Sequence, residues 1–382
     1  MGSRDNAVQV TGGWVGGLET GTVVIGGSQA GLTVAYHLRR QGEDFVVLDA
    51  HRRVGDAWRS RYDGLRLFSP PRYASLPGWR MPQRDYPTRD EMADYLERYA
   101  ERFDLPVRLG VCVLQVSRDD DGFLVDTSAG LVRARNVVVA SGAHRVPVVP
   151  RLDGVIDPRV RQLHSLEYRS TAQLAPGGVL VVGAANSGTD IALEAVAAGH
   201  PTWLAGRHPG QVPIDIDSRR GRAMTPLVMF VFRHVLTLRT PMGRKAARQA
   251  EGHGVNLVRN KLADLDAAGV VRTGRVVGVF EGLPVTDDGT VPDVATVVWA
   301  TGSRPDHSFL RGLTDDTGRP PQRRGISDVD GLYFLGLEFQ FALASATIQG
   351  LDRDARHVVR ALRRRGVRSP VTSREGAASV AG

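Results

Sequence analysis

Two glycine-rich turns carry the chemistry that can be read from this chain. The first follows Thr22-Val23-Val24-Ile25 and runs Gly26-Gly27-Ser28-Gln29-Ala30-Gly31. The second follows Val179-Leu180-Val181-Val182 and runs Gly183-Ala184-Ala185-Asn186-Ser187-Gly188. A β-branched strand, a tight glycine turn and a helix start bring backbone N–H groups and a positive helix end against a pyrophosphate. Asp49 closes the next strand, roughly twenty residues past the first turn, where a carboxylate accepts hydrogen bonds from ribose hydroxyls. After the second turn the matching strand, residues 202–205, delivers Gly206-Arg207 instead, and a guanidinium there suits a 2′-phosphate. The pair predicts two nucleotide cofactors exchanging electrons: FAD at the first turn and NADPH at the second, with NADH the alternative.

Neither turn has the full glycine pattern, because Ser28 and Ala185 stand where a second glycine is expected. A tight strand-to-helix loop without a nucleotide is the plain alternative for each. A nucleophilic Ser28 on a strand–turn–helix elbow would need glycine where Ala30 stands, and it leaves Asp49 and the second unit unexplained.

The elements that must position these turns follow from the same pattern. Residues 32–38 and 191–196 are apolar enough to be the helices after each turn, and residues 45–48 and 202–205 the second strands. An irregular stretch with Gly55, Trp58, Pro70, Pro71, Pro77 and Pro82 comes next, in a position to touch a ligand. Thr88-x-x-Glu91 is a capping box opening a helix whose Met92, Tyr95, Leu96, Tyr99 and Phe103 share one core face. Strands are predicted over 111–116, 123–125 and 137–139, the last running into Ala140-Ser141-Gly142 and the breakers Pro147 and Pro150. Residues 294–299 form another strong strand before Ala300-Thr301-Gly302, and residues 332–335 a final strand ending at Gly336. A helix then runs from near Ala344 to about Leu362.

The two Ala-Ser/Thr-Gly turns bracket the second nucleotide unit, as expected where a chain leaves and re-enters one domain. The fold class is α/β, with two Rossmann-like dinucleotide-binding domains and the NADPH domain inserted into a discontinuous FAD domain. The expected division is a flexible N-terminus (1–20), an FAD-binding domain (21–152 and 291–365), an NADPH-binding domain (153–290) carrying an insert (208–255), and a flexible tail (366–382). Within the insert, residues 223–238 read as a mostly apolar helix. A lid or buried cover is its expected role, with a membrane-surface helix or a homodimer contact as the others.

Composition bounds the rest. The chain has 382 residues, 42% of them hydrophobic, enough for a sizeable core. Its formal charge of +8 comes almost wholly from scattered arginines, since Lys245 and Lys261 are the only lysines. No basic run interleaved with aromatics points to nucleic acid, so the charge reads as composition with some attraction for anionic cofactors. Cys112, the sole cysteine, excludes a disulfide or dithiol relay, and its apolar run suggests a buried, inert thiol. The ten histidines form no metal-ligand spacing, so no metal is expected. The longest apolar stretch, residues 227–232, is interrupted by Arg233-His234 and is too short to span a bilayer. With no apolar signal core, a cytoplasmic location is expected.

The chain resembles the class B flavin-containing monooxygenases and their bacterial relatives over most of its length. The matching pieces are Gly55-x-x-Trp58, Tyr86-Pro87 with Glu91, Tyr95 and Leu96, Ala140-Ser141-Gly142 with Pro147 and Pro150, Ala300-Thr301-Gly302 with Asp306, and Gly331-Leu332-Tyr333-Phe334-Leu335-Gly336. His164-Ser165-Leu166-Glu167-Tyr168 is similar to the second half of the family fingerprint, while Pro158 and Val160 replace its Phe and Gly. The Tyr168 ending is more like N- or S-oxygenating members than Baeyer–Villiger enzymes, and the asparagine that some members place beside the flavin has no counterpart at Ser69-Pro70-Pro71.

The resemblance implies a two-stage reaction. NADPH reduces FAD and remains bound as NADP⁺; the reduced flavin takes up O2 as a C4a-hydroperoxyflavin, which oxygenates a small soft N or S nucleophile or a carbonyl. It implies catalytic roles for His164 and Tyr168. The FAD site would draw on Gly26, Ser28, Gln29, Ala30, Gly31, Asp49, Trp58, Ala140, Gly142, Gly336 and Gln340. The NADPH site would draw on Gly183, Asn186, Ser187, Gly188 and Arg207, and Thr301 and Gly302, in the returning part of the FAD domain, would be further cofactor-binding residues. The C-terminal helix would point its positive end at the flavin pyrimidine. The alternative is a flavin-dependent NAD(P)H oxidoreductase passing electrons to an acceptor without inserting oxygen; a non-catalytic nucleotide-fold binding module is a third reading.

Overall fold

A computed structural model describes residues 17–83, 85–211, 219–250, 257–315, 318 and 320–368. Strand β1 (Leu18–Ile25) leads through the first turn into α1 (Gln29–Arg40) and β2 (Phe45–Asp49), then a short α2 (Asp56–Arg59) and α3 (Arg89–Arg102). β3 (Val107–Leu109), β4 (Val113–Arg118), β5 (Phe123–Thr127) and β6 (Gly130–Val139) complete this part, and β7 (Val146–Pro147) follows. β8 (Arg161–His164), β9 (Val179–Val182), α4 (Asn186–Ala197) and β10 (Thr202–Ala205) build the second unit. Next come α5 (Arg219–Phe230), a π-helical turn (Val231–Val235), α6 (Pro241–Ala250), α7 (Leu262–Ala268), β11 (Val271–Thr273) and the hairpin β12 (Val276–Phe280) and β13 (Leu283–Thr286). β14 (Thr296–Trp299), β15 (Ser303–Arg304), β16 (Gln322–Arg323), β17 (Ile326–Ser327) and β18 (Leu332–Phe334) precede the last helix, α8 (Ile348–Arg368).

Two large sheets result, beside the small pairs β12–β13 and β7–β15, and both large sheets place the strand before a glycine turn in their interior. In the first, β1 lies between β2 and β6, all parallel, with β3 outside β2 and β18 outside β6. In the second, β9 lies between β10 and β14, again parallel, with β11 outside β10 and β8 outside β14. Strands covered on both faces must be apolar throughout, which is why 179–182 and 296–299 carry four buried residues each. Helices α1, α3 and α8 pack over one face of the first sheet through Leu32, Leu38, Met92, Tyr99, Val358 and Leu362. Its other face packs on Phe123, Val132, Leu310 and Phe334. In the second sheet, Ile191 and Ala195 of α4 and Leu265 of α7 cover Val179, Val181 and Val298.

Several expectations change here. β14 was expected to return to the first unit with residues 291–365, yet it pairs with β8 and β9 in the second sheet. A uniformly apolar strand fits either buried sheet equally well, so its pattern could not choose the partner. Residues 18–20, expected in a flexible lead-in, begin β1 and pair with β6; residues 1–16 lie outside the described residues. Most of the expected tail does too, although α8 continues to Arg368. Cys112 is exposed, not buried. Val111 and Cys112 precede β4, whose ladder with β5 is irregular between Val113 and Gln115, so Val111 and Val116 turn inward while Cys112 and Leu114 face out.

The insert is helical where expected but is no buried cover. Met224, Leu227, Phe230, Leu238 and Met242 are all exposed. It is tied down at its middle, where Thr237 bridges Ala342, Leu238 donates to the Phe341 carbonyl and Leu343 donates to the Leu236 carbonyl. Among the described residues no helix is long and apolar enough to cross a membrane.

Candidate functional site

Each glycine turn is shaped by close backbone approach. Gly26 has φ 107° and Gly183 φ 112°, conformations that disfavour any residue with a Cβ. A Cβ on Gly31 would overlap the Gly26 carbonyl, and one on Gly188 would overlap the Gly183 carbonyl. A Cβ on Gly26 would strike the Ala140 carbonyl, and one on Gly183 the Ala300 carbonyl. The same hydrogen bonds lock both: Gly26 N to Leu48 O at 2.8 Å and Gly183 N to Ala205 O at 2.7 Å. Ala140 donates to Ile25 and Ala300 to Val182, each at 2.8 Å. The turns that follow, at Gly142 (φ 86°) and Gly302 (φ 85°), therefore flank the two mouths in the same way.

The helices behind these turns differ from an ordinary capped helix. α3 has the full capping box, with Glu91 N donating to Thr88 Oγ1 and Thr88 N to Glu91 Oε2. α1 and α4 have no side-chain cap and no acid in the first turn. Their first N–H groups and positive dipole ends are left to an anion, as dinucleotide phosphates require. Ser28 does not intrude on that end, because its hydroxyl donates to Gln29 Oε1 at 2.5 Å. Trp58 Nε1 donates to the same oxygen at 3.0 Å, joining the loop after β2 to the turn. Gly336, at the end of β18, approaches Ala30; a Cβ there would lie 3.4 Å from the Ala30 Cβ.

Asp49 is buried at the end of β2. Its Oδ2 accepts from Gly27 N at 2.6 Å, and its Oδ1 accepts from His51 N at 2.8 Å and lies 2.7 Å from His51 Nδ1. Burial alone would raise its pKa, but the hydrogen bonds from His51 and Gly27 outweigh it and hold the carboxyl below its ordinary value. The same side-chain bond raises the His51 pKa. The carboxylate is therefore ionised and fixed facing the turn.

At the second turn, Ser187 and Arg207 are exposed, and Arg207 has no ion-pair partner among the described residues. Asn186 Oδ1 accepts from Val258 N. Beside them a cavity of about 360 Å³ is lined by Ala184, Gly206, His208, Arg272, Thr273 and Asp288 among others. Sequence reasoning missed His208, Arg272 and Asp288. They come from the ends of different elements, so no local motif marks them. Thr301 donates from its hydroxyl to the Val148 carbonyl, which ties the flanking turn to residue 148.

Three expected residues sit differently from their assigned roles. Tyr168 is wholly buried in the second core, its hydroxyl donating to Glu194 Oε2 at 2.9 Å. His164 is buried at the end of β8; its Nδ1 accepts from Leu166 N at 3.1 Å, so Nε2 carries the proton and donates to the Gly302 carbonyl at 3.0 Å. Burial lowers its pKa, with the Gly302 bond offsetting part of the effect. Both side chains are thus committed to holding the second unit together. Gln340 is also buried, its amide donating to Phe334 O and accepting from Leu337 N within its own loop. A hydrophobic or aromatic pattern around these residues gave no sign of such saturation.

The two units meet at a half-buried polar cluster that the sequence did not announce. Tyr62 donates to Asp190 Oδ2 at 2.7 Å, and Asp190 also pairs with Arg259 at 2.8 Å and Asn260 at 2.5 Å. Asp63 N donates to the Arg169 carbonyl. These contacts join the loop after α2 to α4 and fix one turn relative to the other.

The profile of the pyridine nucleotide-disulphide oxidoreductase family matches residues 23–228. A CzcO-like oxidoreductase of Geobacillus kaustophilus is 34% identical over 346 residues, 88% of this chain and 96% of that protein. Indole-3-pyruvate monooxygenase YUCCA1 of Oryza sativa subsp. japonica is 30% identical over 353 residues, 83% of this chain and 86% of that protein. Among solved structures, a flavin-containing monooxygenase from Stenotrophomonas maltophilia superposes with a TM-score of 0.75 at 30% identity, covering 91% of this chain and 99% of that one.

Proposed function

The chain belongs to the pyridine nucleotide-disulphide oxidoreductase family, in its flavin-containing monooxygenase branch, and we propose that it is an NADPH-dependent FAD monooxygenase acting on a small soft N or S nucleophile or a carbonyl. It is an oxidoreductase using flavin and a nicotinamide cofactor. The observation that carries the finer reading is the duplicated cradle: two uncapped helix ends behind two glycine turns, each following a strand flanked on both sides by parallel strands.

In this reading Gly26, Gly27, Gly31 and the α1 end hold the FAD pyrophosphate, and Asp49 holds its ribose. Trp58 and Gln29 wall the site, with Ala140, Gly142 and Gly336 forming its rim. Gly183, Asn186, Ser187, Gly188 and the α4 end hold the NADPH pyrophosphate, with Arg207 at its 2′-phosphate and Thr301-Gly302 on the rim. The FAD unit then comprises residues up to about 152 and those after β14, with the NADPH unit between them. Bound FAD supplies hydride acceptance and reaction with O2; the protein aligns the two nucleotides and excludes water. His164 and Tyr168 are positioning residues: His164 fixes the Gly302 turn and Tyr168 fixes α4 through Glu194. The oxygenating reading is also supported by the rice relative, an indole-3-pyruvate monooxygenase.

The test is to reduce the purified yellow protein anaerobically with NADPH and mix it with oxygenated buffer. A lag between oxygen uptake and return of the oxidised-flavin spectrum, with less H2O2 than NADPH consumed once substrate is added, is the expected result. Immediate return with one H2O2 per NADPH at every substrate tried would overturn oxygen insertion.

A further inference from the structure

Where the insert meets the C-terminal region, three arginines converge on one ring. The guanidinium carbons of Arg324, Arg353 and Arg239 lie 3.9, 4.5 and 5.5 Å from the centre of Phe341. With Arg233, His234, Thr237 and Thr240 they line a cavity of about 400 Å³. Arg233, Thr237 and Arg239 come from the insert, Arg324 from the turn between β16 and β17, and Arg353 from α8.

These charges are poorly compensated. Asp354 pairs with Arg353 Nε at 3.0 Å and is itself buried, with Ser345 Oγ donating to its other oxygen at 2.6 Å. Arg353 Nη1 donates to the Arg233 carbonyl. Arg233 Nε, Arg324 Nε and Arg353 Nη2 have no hydrogen-bond partner, three of the six such buried side-chain atoms among the described residues. Arg324 (φ +56°) and Gly325 (φ +81°) are the two central residues of the tight β16–β17 hairpin turn, which places the Arg324 side chain against Phe341. Burial lowers the Arg324 pKa; the Asp354 charge opposes that shift, and Arg353 and Arg239 add to it. Cation–π contact with Phe341 offsets part of the desolvation, but a ring cannot accept the in-plane N–H groups. Planar forks with free N–H groups around a shared space are the recognition element for an oxyanion.

We propose that this cavity is a binding site for a small oxyanion, the carboxylate or phosphate of an acidic metabolite, clasped by Arg324, Arg353, Arg233 and Arg239. None of these residues belongs to either nucleotide cradle. Because the insert supplies two of them, occupancy would also clamp the insert onto α8 and the 341–343 segment.

The test uses the full-length protein with its flavin, melted in rising inorganic phosphate or, separately, succinate, with ionic strength held constant by NaCl. Wild type should show a saturable rise in melting temperature with one or both anions. Arg324→Gln and Arg239→Gln should raise the half-saturating concentration by about tenfold or more. In chloride alone both variants should melt no lower than wild type, because a like charge has been removed. Arg207→Ala, at the nucleotide cradle, should leave the response unchanged. A response to phosphate alone assigns a phosphorylated ligand, and one to succinate alone a carboxylate. The proposal is overturned if neither anion gives a saturable shift, if the two cluster variants respond as wild type does, or if Arg207→Ala abolishes the response.

Discussion

The carbonyl oxygen of Gly26 fills the space that a Cβ on Gly31 would need, and Gly183 stands in the same relation to Gly188. The helix start is pressed onto the preceding turn in both units, so its N–H groups point outward at the sheet's carboxyl edge. A methyl group at either position must push the helix away. Gly188→Ala should therefore destabilise the protein by about 1–3 kcal/mol while keeping its flavin, and should slow reduction by NADPH at least tenfold. Gly31→Ala should yield protein depleted of FAD. Flavin absorbance per protein and anaerobic reduction rates check the asymmetry between the two variants.

Asp49 is anchored from two sides, by Gly27 N and by His51. Asp49→Asn replaces an ionised acceptor by an amide that can offer only one oxygen. FAD affinity should fall roughly tenfold to a hundredfold, about 1.4–3 kcal/mol, measured by flavin release and rebinding. The sign of the pH effect follows from the shifts. The Asp49 pKa is lowered, so the carboxylate's contribution is complete above its ordinary range and is lost as pH falls through its folded value.

Arg207 is exposed beside the second turn. Arg207→Ala should raise KM for NADPH about tenfold to a hundredfold and leave KM for NADH within twofold. Steady-state oxidation of the two nucleotides gives the ratio directly. An unchanged preference would remove Arg207 from the 2′-phosphate.

Much of this organisation was legible in the sequence because it obeys local rules. Both strand–turn–helix units, Asp49 at the end of its strand and the Thr88 capping box depend on residues within a few positions of each other. The partner of β14 was not legible, since residues 296–299 would be buried in either sheet. Nor were the bonds of Tyr168, Gln340 and Tyr62, whose partners Glu194, Phe334 and Asp190 are set by packing. Cys112 was misread because burial was inferred from a run of apolar residues, while the chain enters β4 only at Val113 and through an irregular ladder that leaves Cys112 outside.

Tyr168 separates a structural role from a chemical one. Tyr168→Phe leaves Glu194 without its donor and should cost about 1–2 kcal/mol in denaturant unfolding. Rates of flavin reduction and reoxidation should stay within twofold of wild type. A tenfold loss in reoxidation without loss of stability would put the hydroxyl at the reacting atoms.

His164 makes a pH prediction of definite sign. Its pKa in the folded protein lies below that of the free side chain, so the unfolded chain binds the extra proton first. Its contribution to stability is complete above the ordinary histidine range and declines as pH falls below it. His164→Gln should reduce the difference in unfolding free energy between pH 8 and pH 5. An unchanged difference would mean that burial does not hold the His164 pKa below its ordinary value.

The most direct test of two coupled nucleotide sites is anaerobic titration of the flavin-loaded protein with NADPH, wild type beside Gly188→Ala, followed at the flavin absorbance. Stoichiometric bleaching in wild type, with a variant that keeps its flavin but bleaches at least tenfold more slowly, is the result predicted here. A protein that purifies without flavin, or a variant bleached as fast as wild type, would contradict the assignment of the two cradles.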